Sequence, residues 1–138
     1  MTSKIYPFGS LKQYKYALIL SEYQGKILLS RHKERSTWET QGGHIVPGEQ
    51  PLDAAKRELF EESGAVDFTL TPLCDCRAGE EETDDWDNGI AYRAVIRKLG
   101  PLPESEMAEV QQFDTLPENL TYPAIVSSLF QALQKTDF

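Results

Sequence analysis

At 138 residues the chain is long enough to bury roughly two-thirds of its unfolded surface, which favours one domain over residues 1–138. Fourteen basic against 22 acidic residues give a net charge of −8, which disfavours nonspecific binding of a nucleic-acid polymer or an anionic membrane and leaves an anionic substrate in need of a metal bridge. No long apolar run and no charged-then-apolar leader is present, so neither a membrane span nor a signal peptide is indicated and a cytoplasmic protein is expected.

Tyr14 to Ser21 (YKYALILS) and Lys26 to Ser30 (KILLS) are apolar runs separated by Gln24-Gly25, which predicts an antiparallel hairpin. Arg31, Lys33 and Arg35 follow in a stretch that could reach phosphates or a base, although a solvated turn explains them equally well. Trp38 is read either as a core or pocket-wall aromatic or as a stacking platform, and Tyr92 in the same way. Gly42 and Gly43 let the backbone approach a ligand without a side chain in the way, or mark an ordinary turn, and His44 after them is a candidate phosphate contact.

Pro51 suits a first helical position, Asp53 the positive end of a helix, and Gly64 the residue just past its C-terminus, so a helix is predicted over Pro51 to Ser63. At about 100° per residue Glu58, Glu61 and Glu62 share one arc, with Leu52, Ala55 and Leu59 beside it as the buried stripe. Like charges at i, i+3 and i, i+4 repel by about 0.2 to 0.5 kcal/mol per pair, which a divalent cation would relieve. Arg57 can reach Glu61 four residues on and hold it while Glu58 and Glu62 ligate, and Glu49 can brace the loop through backbone amides or Arg57. A solvated acidic face is the plain alternative.

Val66 to Leu73 alternates and continues as a strand through Cys76. Cys74 and Cys76, two residues apart, would form a strained disulfide and read as free thiols rather than a zinc site. The acidic run Glu80 to Asp87 reads as a loop, Ile90 to Leu99 as a strand stopped by Gly100-Pro101, and Val110 to Phe113 as a short strand. Thr121 to Leu133 carries Val126, Leu129, Phe130 and Leu133 at helical spacing. Strands interleaved with two helices predict an α+β fold with a mixed sheet covered on both faces.

Gly43, five residues, Glu49, seven residues, then Arg57-Glu58-Leu59-Phe60-Glu61-Glu62-Ser63-Gly64-Ala65 resembles the signature of the Nudix hydrolases, with every fixed letter in place. Ala65 is smaller than the usual aliphatic residue there, and Gln41 stands where many relatives have proline. The resemblance implies an α/β/α sandwich with a mixed sheet between helices. It also implies Mg²⁺ or Mn²⁺ held by the Gly42 carbonyl with Glu58, Glu61 and Glu62, and cleavage of a nucleoside diphosphate linked to another moiety. Glu61, Glu62 and Arg57 are the implied catalytic residues of the box. In the acidic segment before Gln111-Gln112-Phe113, Glu106 matches a late glutamate that binds a second metal or deprotonates water, with Glu109 as its competitor.

The implied partner is a small nucleotide, with room for a homodimer. Markers of the ADP-ribose and dinucleoside polyphosphate subgroups are missing, since residues 80–83 read Glu-Glu-Glu-Thr. What remains resembles the MutT-like triphosphate diphosphatases, including those acting on 8-oxo-dGTP. Hydrolysis of ADP-ribose or dinucleoside polyphosphates, and a non-catalytic nucleotide-binding regulator, are the alternatives.

Overall fold

The computed structural model describes residues 1–136. Eight strands and two helices follow in the order β1 (Thr2–Tyr6), β2 (Tyr16–Tyr23), β3 (Lys26–His32), β4 (Trp38–Glu39), β5 (Gln41–His44), α1 (Pro51–Ser63), β6 (Ala65–Glu80), β7 (Asp85–Leu99), β8 (Met107–Phe113) and α2 (Pro123–Thr136). All strands belong to one mixed sheet. The order is β1-β6-β7-β2-β3-β4, with β5 paired to β2 and β8 to β3, and β2 runs parallel to β7.

Alternation along β2 sends Ala17 and Ile19 to one face and Leu20 to the other, so each face carries its own apolar cluster. On the first, Ala54, Ala55 and Leu59 of α1 pack against Ala17, Ile19, Leu28 and Ala94. On the second, Ile125, Leu129 and Ala132 of α2 cover Leu20, Cys74, Ala78 and Ala91. Each fully buried Leu contributes about 1.5 to 3 kcal/mol. The result is the α/β/α sandwich expected. No helix among the described residues is long and apolar enough to cross a membrane.

The α1 boundaries are those predicted: Pro51 opens it and Gly64, at φ 78°, closes it with its N–H donating to the Phe60 carbonyl at 2.8 Å. A side chain at Gly64 would come within 2.8 Å of the Gly100 and Pro101 carbonyls, so the cap also lets β6 leave beside the end of β7. The buried stripe is different from the expected one. Leu52 is 40% exposed, and the small Ala54 takes its place against the sheet, bringing α1 close.

The acidic run also departs from expectation. Only residues 81–84 turn; Glu80 ends β6 and Asp85 to Asp87 begin β7, as the tip of a long hairpin whose outward side chains are charged. Residues 7–14 are pinned by Asp75, which is fully buried and accepts from the Gly9 and Leu11 backbone at 3.0 and 2.8 Å and from the Tyr14 hydroxyl at 2.5 Å. Cys74 and Cys76 are free, and burial pushes their thiols up to about 11 and 12.

Candidate active site

Two glycines of β5 lie against the carboxylate face of α1. At Gly43 a Cβ would overlap the Glu58 carboxylate, so a side chain there would displace that carboxylate from its present position. At Gly42 a Cβ would stand 2.6 Å from the Ala17 carbonyl, and the two glycines are strand backbone paired with β2 and not a turn. The Gly42 N–H donates to Glu62 Oε1 at 2.8 Å.

Arg57 works as a clamp. Its Nε and Nη2 donate to the two Glu49 oxygens at 2.8 and 3.0 Å, and Nη2 also reaches the His44 carbonyl at 3.1 Å. Nη1 donates to Glu58 Oε1 at 2.8 Å, against 3.5 Å to Glu61, so of the helix carboxylates Arg57 holds Glu58 more closely than the predicted Glu61. Glu49 in turn accepts the Val46 N–H at 3.2 Å and braces the loop as expected, and its bond to Arg57 holds it below the usual carboxylate range.

The helix carboxylates are charged groups in a place that penalises charge. Burial pushes Glu62, 8% exposed, up to about 8; the Gly42 N–H opposes this, and Glu58, Glu39 and Glu106 add repulsion. Burial likewise raises Glu58 despite Arg57. Hard, mutually repelling oxygen donors on one helix face suit Mg²⁺ or Mn²⁺, because a bound cation offsets both penalties. Among the described residues no three acidic, His or Cys side chains converge into a closed metal cage in this conformation, with Glu58 turned onto Arg57 and Glu62 onto the Gly42 amide.

A cavity of about 410 Å³ is lined by Glu58, Glu61, Glu62, Glu104, Ser105 and Glu106. A neighbouring pocket of about 390 Å³ shares Glu62 and Glu106 with it and extends past Gly42, Gly43 and His44 to Arg35, Glu39 and Tyr122. Charge chemistry and a concave chamber for an organic group thus meet at one wall.

The predicted residues divide accordingly. Arg35 and His44 line the pocket, whereas Arg31 and Lys33 do not: Arg31 pairs with Glu109 at 2.8 Å and Lys33 with Glu104 at 3.2 Å. Trp38 is core, edge-on to Phe113 at 5.1 Å, and not a stacking platform; Tyr92 is buried edge-on to Phe8. Glu106 faces both chambers, while Glu109 is engaged on β8 by Arg31.

Several residues escaped the sequence reading. Glu39 is buried on the pocket wall with Arg35 Nη1 at 3.2 Å from its Oε2, and Tyr16, His32 and Tyr122 line the same pocket. Gln41, noticed only as a departure from proline, is a buried hub. It accepts from Ser21 Oγ at 2.6 Å and donates to Ser30 Oγ at 2.9 Å; Ser30 Oγ donates to the Glu62 carbonyl at 2.8 Å. A proline side chain could make neither of the two Gln41 bonds. Strand periodicity around Trp38 could have flagged Glu39 and Gln41, but β4 and β5 are too short to display it.

The NUDIX domain profile matches residues 12–125. An RNA pyrophosphohydrolase of Psychrobacter sp. (strain PRwf-1) is 43% identical over 82 residues, 59% of this chain and 42% of that protein. A Bacillus subtilis (strain 168) protein provisionally named an 8-oxo-dGTP diphosphatase is 41% identical over 49 residues, 36% of this chain and 32% of that protein. The chain therefore spans less than half the length of these two relatives. The crystal structure of the Bacillus subtilis pyrophosphohydrolase BsRppH superposes with a TM-score of 0.80 at 23% identity, over 99% of this chain and 92% of that one, and shares its fold.

Proposed function

We propose, from the premise that the chain belongs to the Nudix family, that it is a Mg²⁺- or Mn²⁺-dependent hydrolase of nucleoside triphosphates, releasing a monophosphate and pyrophosphate. The observation that carries this reading is the wall shared by the two chambers, where buried Glu62 and the late Glu106 stand between a carboxylate cavity and a nucleoside-sized pocket. Glu58, Glu61, Glu62 and the Gly42 carbonyl would hold the cation, with Glu106, the other candidate ligand, kept for proton transfer. When bound, that cation neutralises charge on the phosphates and makes water a better nucleophile.

The protein's own groups do the rest. Arg57 keeps Glu58 and the Glu49 loop in register, so the oxygen donors are preorganised. Glu106 takes the proton of the attacking water, a role suited to its place opposite the helix carboxylates. Arg35 and His44 orient phosphate or base from the pocket wall. Buried Glu39, an acceptor, favours a base edge that presents N–H donors, as purines with a protonated N7 do. This supports an 8-oxo-dGTP-type substrate. The two free cysteines are compatible with a cytoplasmic protein.

The Psychrobacter relative favours a second reading, in which the triphosphate belongs to the 5′ end of an RNA. Hydrolysis with Mg²⁺ and with EDTA tests both, read as pyrophosphate released from 8-oxo-dGTP, dGTP and 5′-triphosphorylated RNA, as AMP and ribose 5-phosphate from ADP-ribose, and as adenosine nucleotides from diadenosine polyphosphates. Preference for a free triphosphate supports the first reading and preference for RNA the second. Preference for ADP-ribose or a dinucleoside polyphosphate would refute both, and tight binding without turnover would identify a regulator.

A further inference from the structure

The pairing of β3 with β8 slips between Arg31 and His32, so Arg31 lies opposite Glu109 while His32 is matched to Met107. Bulges beside a site commonly re-aim one side chain. Here the imidazole joins the pocket wall near Glu106, with 16% of its side chain exposed. Its Nδ1 accepts the Glu34 backbone N–H at 3.1 Å. A ring nitrogen that accepts carries no proton, so the neutral ring has its N–H at Nε2. That atom lies 3.8 Å from Glu106 Oε2, and the Lys33 N–H donates to the Glu106 carbonyl at 2.9 Å, fixing the two main chains side by side.

The Glu106 side chain is 80% exposed and therefore spreads over many rotamers, whereas a proton acceptor acts only within hydrogen-bond reach. We propose that His32 is a positioning residue for Glu106: its Nε2–H donates to Oε2 once the exposed carboxylate swings across the remaining gap, leaving Oε1 toward the water. The role rests on the hydrolase reading above. The neighbouring cation Lys33 is turned to Glu104 instead.

Long-range ¹H–¹⁵N NMR of the whole chain reads the tautomer; an Nδ1–H form would overturn the proposal whether or not the chain turns over substrate. His32→Phe keeps the ring's bulk without the donor, and His32→Gln keeps an N–H close to the Nε2 position. The expected result is a kcat about 10- to 100-fold lower for the Phe variant with little change in KM, largely recovered by Gln. In a Glu106→Gln background, His32→Phe should add no further loss. Equal losses in the two variants, or an undiminished loss in that background, would remove the positioning role. Full activity of His32→Phe would refute His32 alone, whereas a wild-type chain without metal-dependent turnover would refute the hydrolase reading and this role together.

Discussion

Glu62 answers to two opposing forces, burial that penalises its charge and the Gly42 N–H that favours it. Removing the charge should therefore harm chemistry and spare the fold. Glu62→Gln and Glu58→Gln are expected to lower kcat/KM by more than about tenfold, a barrier change above roughly 1.4 kcal/mol, with thermal unfolding at or above the wild-type temperature. Activity above a tenth of wild type in either variant would contradict its place in the cation's donor set. The late glutamates should separate as cleanly. Glu106→Gln removes the proposed proton acceptor and is expected to slow turnover by about 10² to 10⁴-fold, while Glu109→Gln breaks only an exposed pair with Arg31. Comparable effects in single-turnover assays would move the role off Glu106.

At the scale of elements, the segment 7–14 shows how one buried side chain holds a loop. Asp75→Ala would leave two backbone N–H groups and the Tyr14 hydroxyl without their acceptor, at a cost of about 3 to 5 kcal/mol that a urea midpoint would register. No shift, or a shift under about 1 kcal/mol, would mean the loop does not depend on that carboxylate. Nothing in the sequence announced it, because Asp75 stands between two cysteines on a strand whose alternation is otherwise ordinary. The helix α1 was legible for the opposite reason: Pro51, Gly64 and a 3.6-residue period all speak locally. Leu52 misled because the period gives the face but not its centre, and packing chose the small Ala54. β1, β4 and β5 stayed hidden. The β1 partner is far along the chain, from Thr2↔Gly79 to Tyr6↔Asp75, and β5 is built on glycines that read as a turn. The box carboxylates were readable as a set; Glu39 and His32 were not, since their roles come from a short strand and a bulge.

For the molecule as a whole, the net charge of −8 and the raised carboxylates couple stability to pH and metal. The Glu62 pKa is raised in the fold from 4.5 to about 8, so the native state holds a proton that the unfolded chain releases. Its stabilising contribution is complete below about 4.5 and is lost as pH rises through about 8. Metal-free protein is accordingly expected to melt at lower temperature at pH 8 than at pH 5, and Glu62→Gln should flatten that slope. Mg²⁺ at about 100 times its Kd should restore about 2.7 kcal/mol. A wild-type slope identical to that of the Gln variant would show that Glu62 carries no such linkage. The parallel pairing of β2 with β7 has a consequence of another kind. Tyr16 meets Gly89, 73 residues later, and the register continues from there to Tyr23↔Ile96. A ribosome adding about 5 to 20 residues per second needs roughly 4 to 15 s to make that interval. Throughout it the nascent β2–β3 hairpin carries an open apolar edge, so the central strand of the finished sheet waits across that interval for its neighbour and needs shielding from other chains while it does.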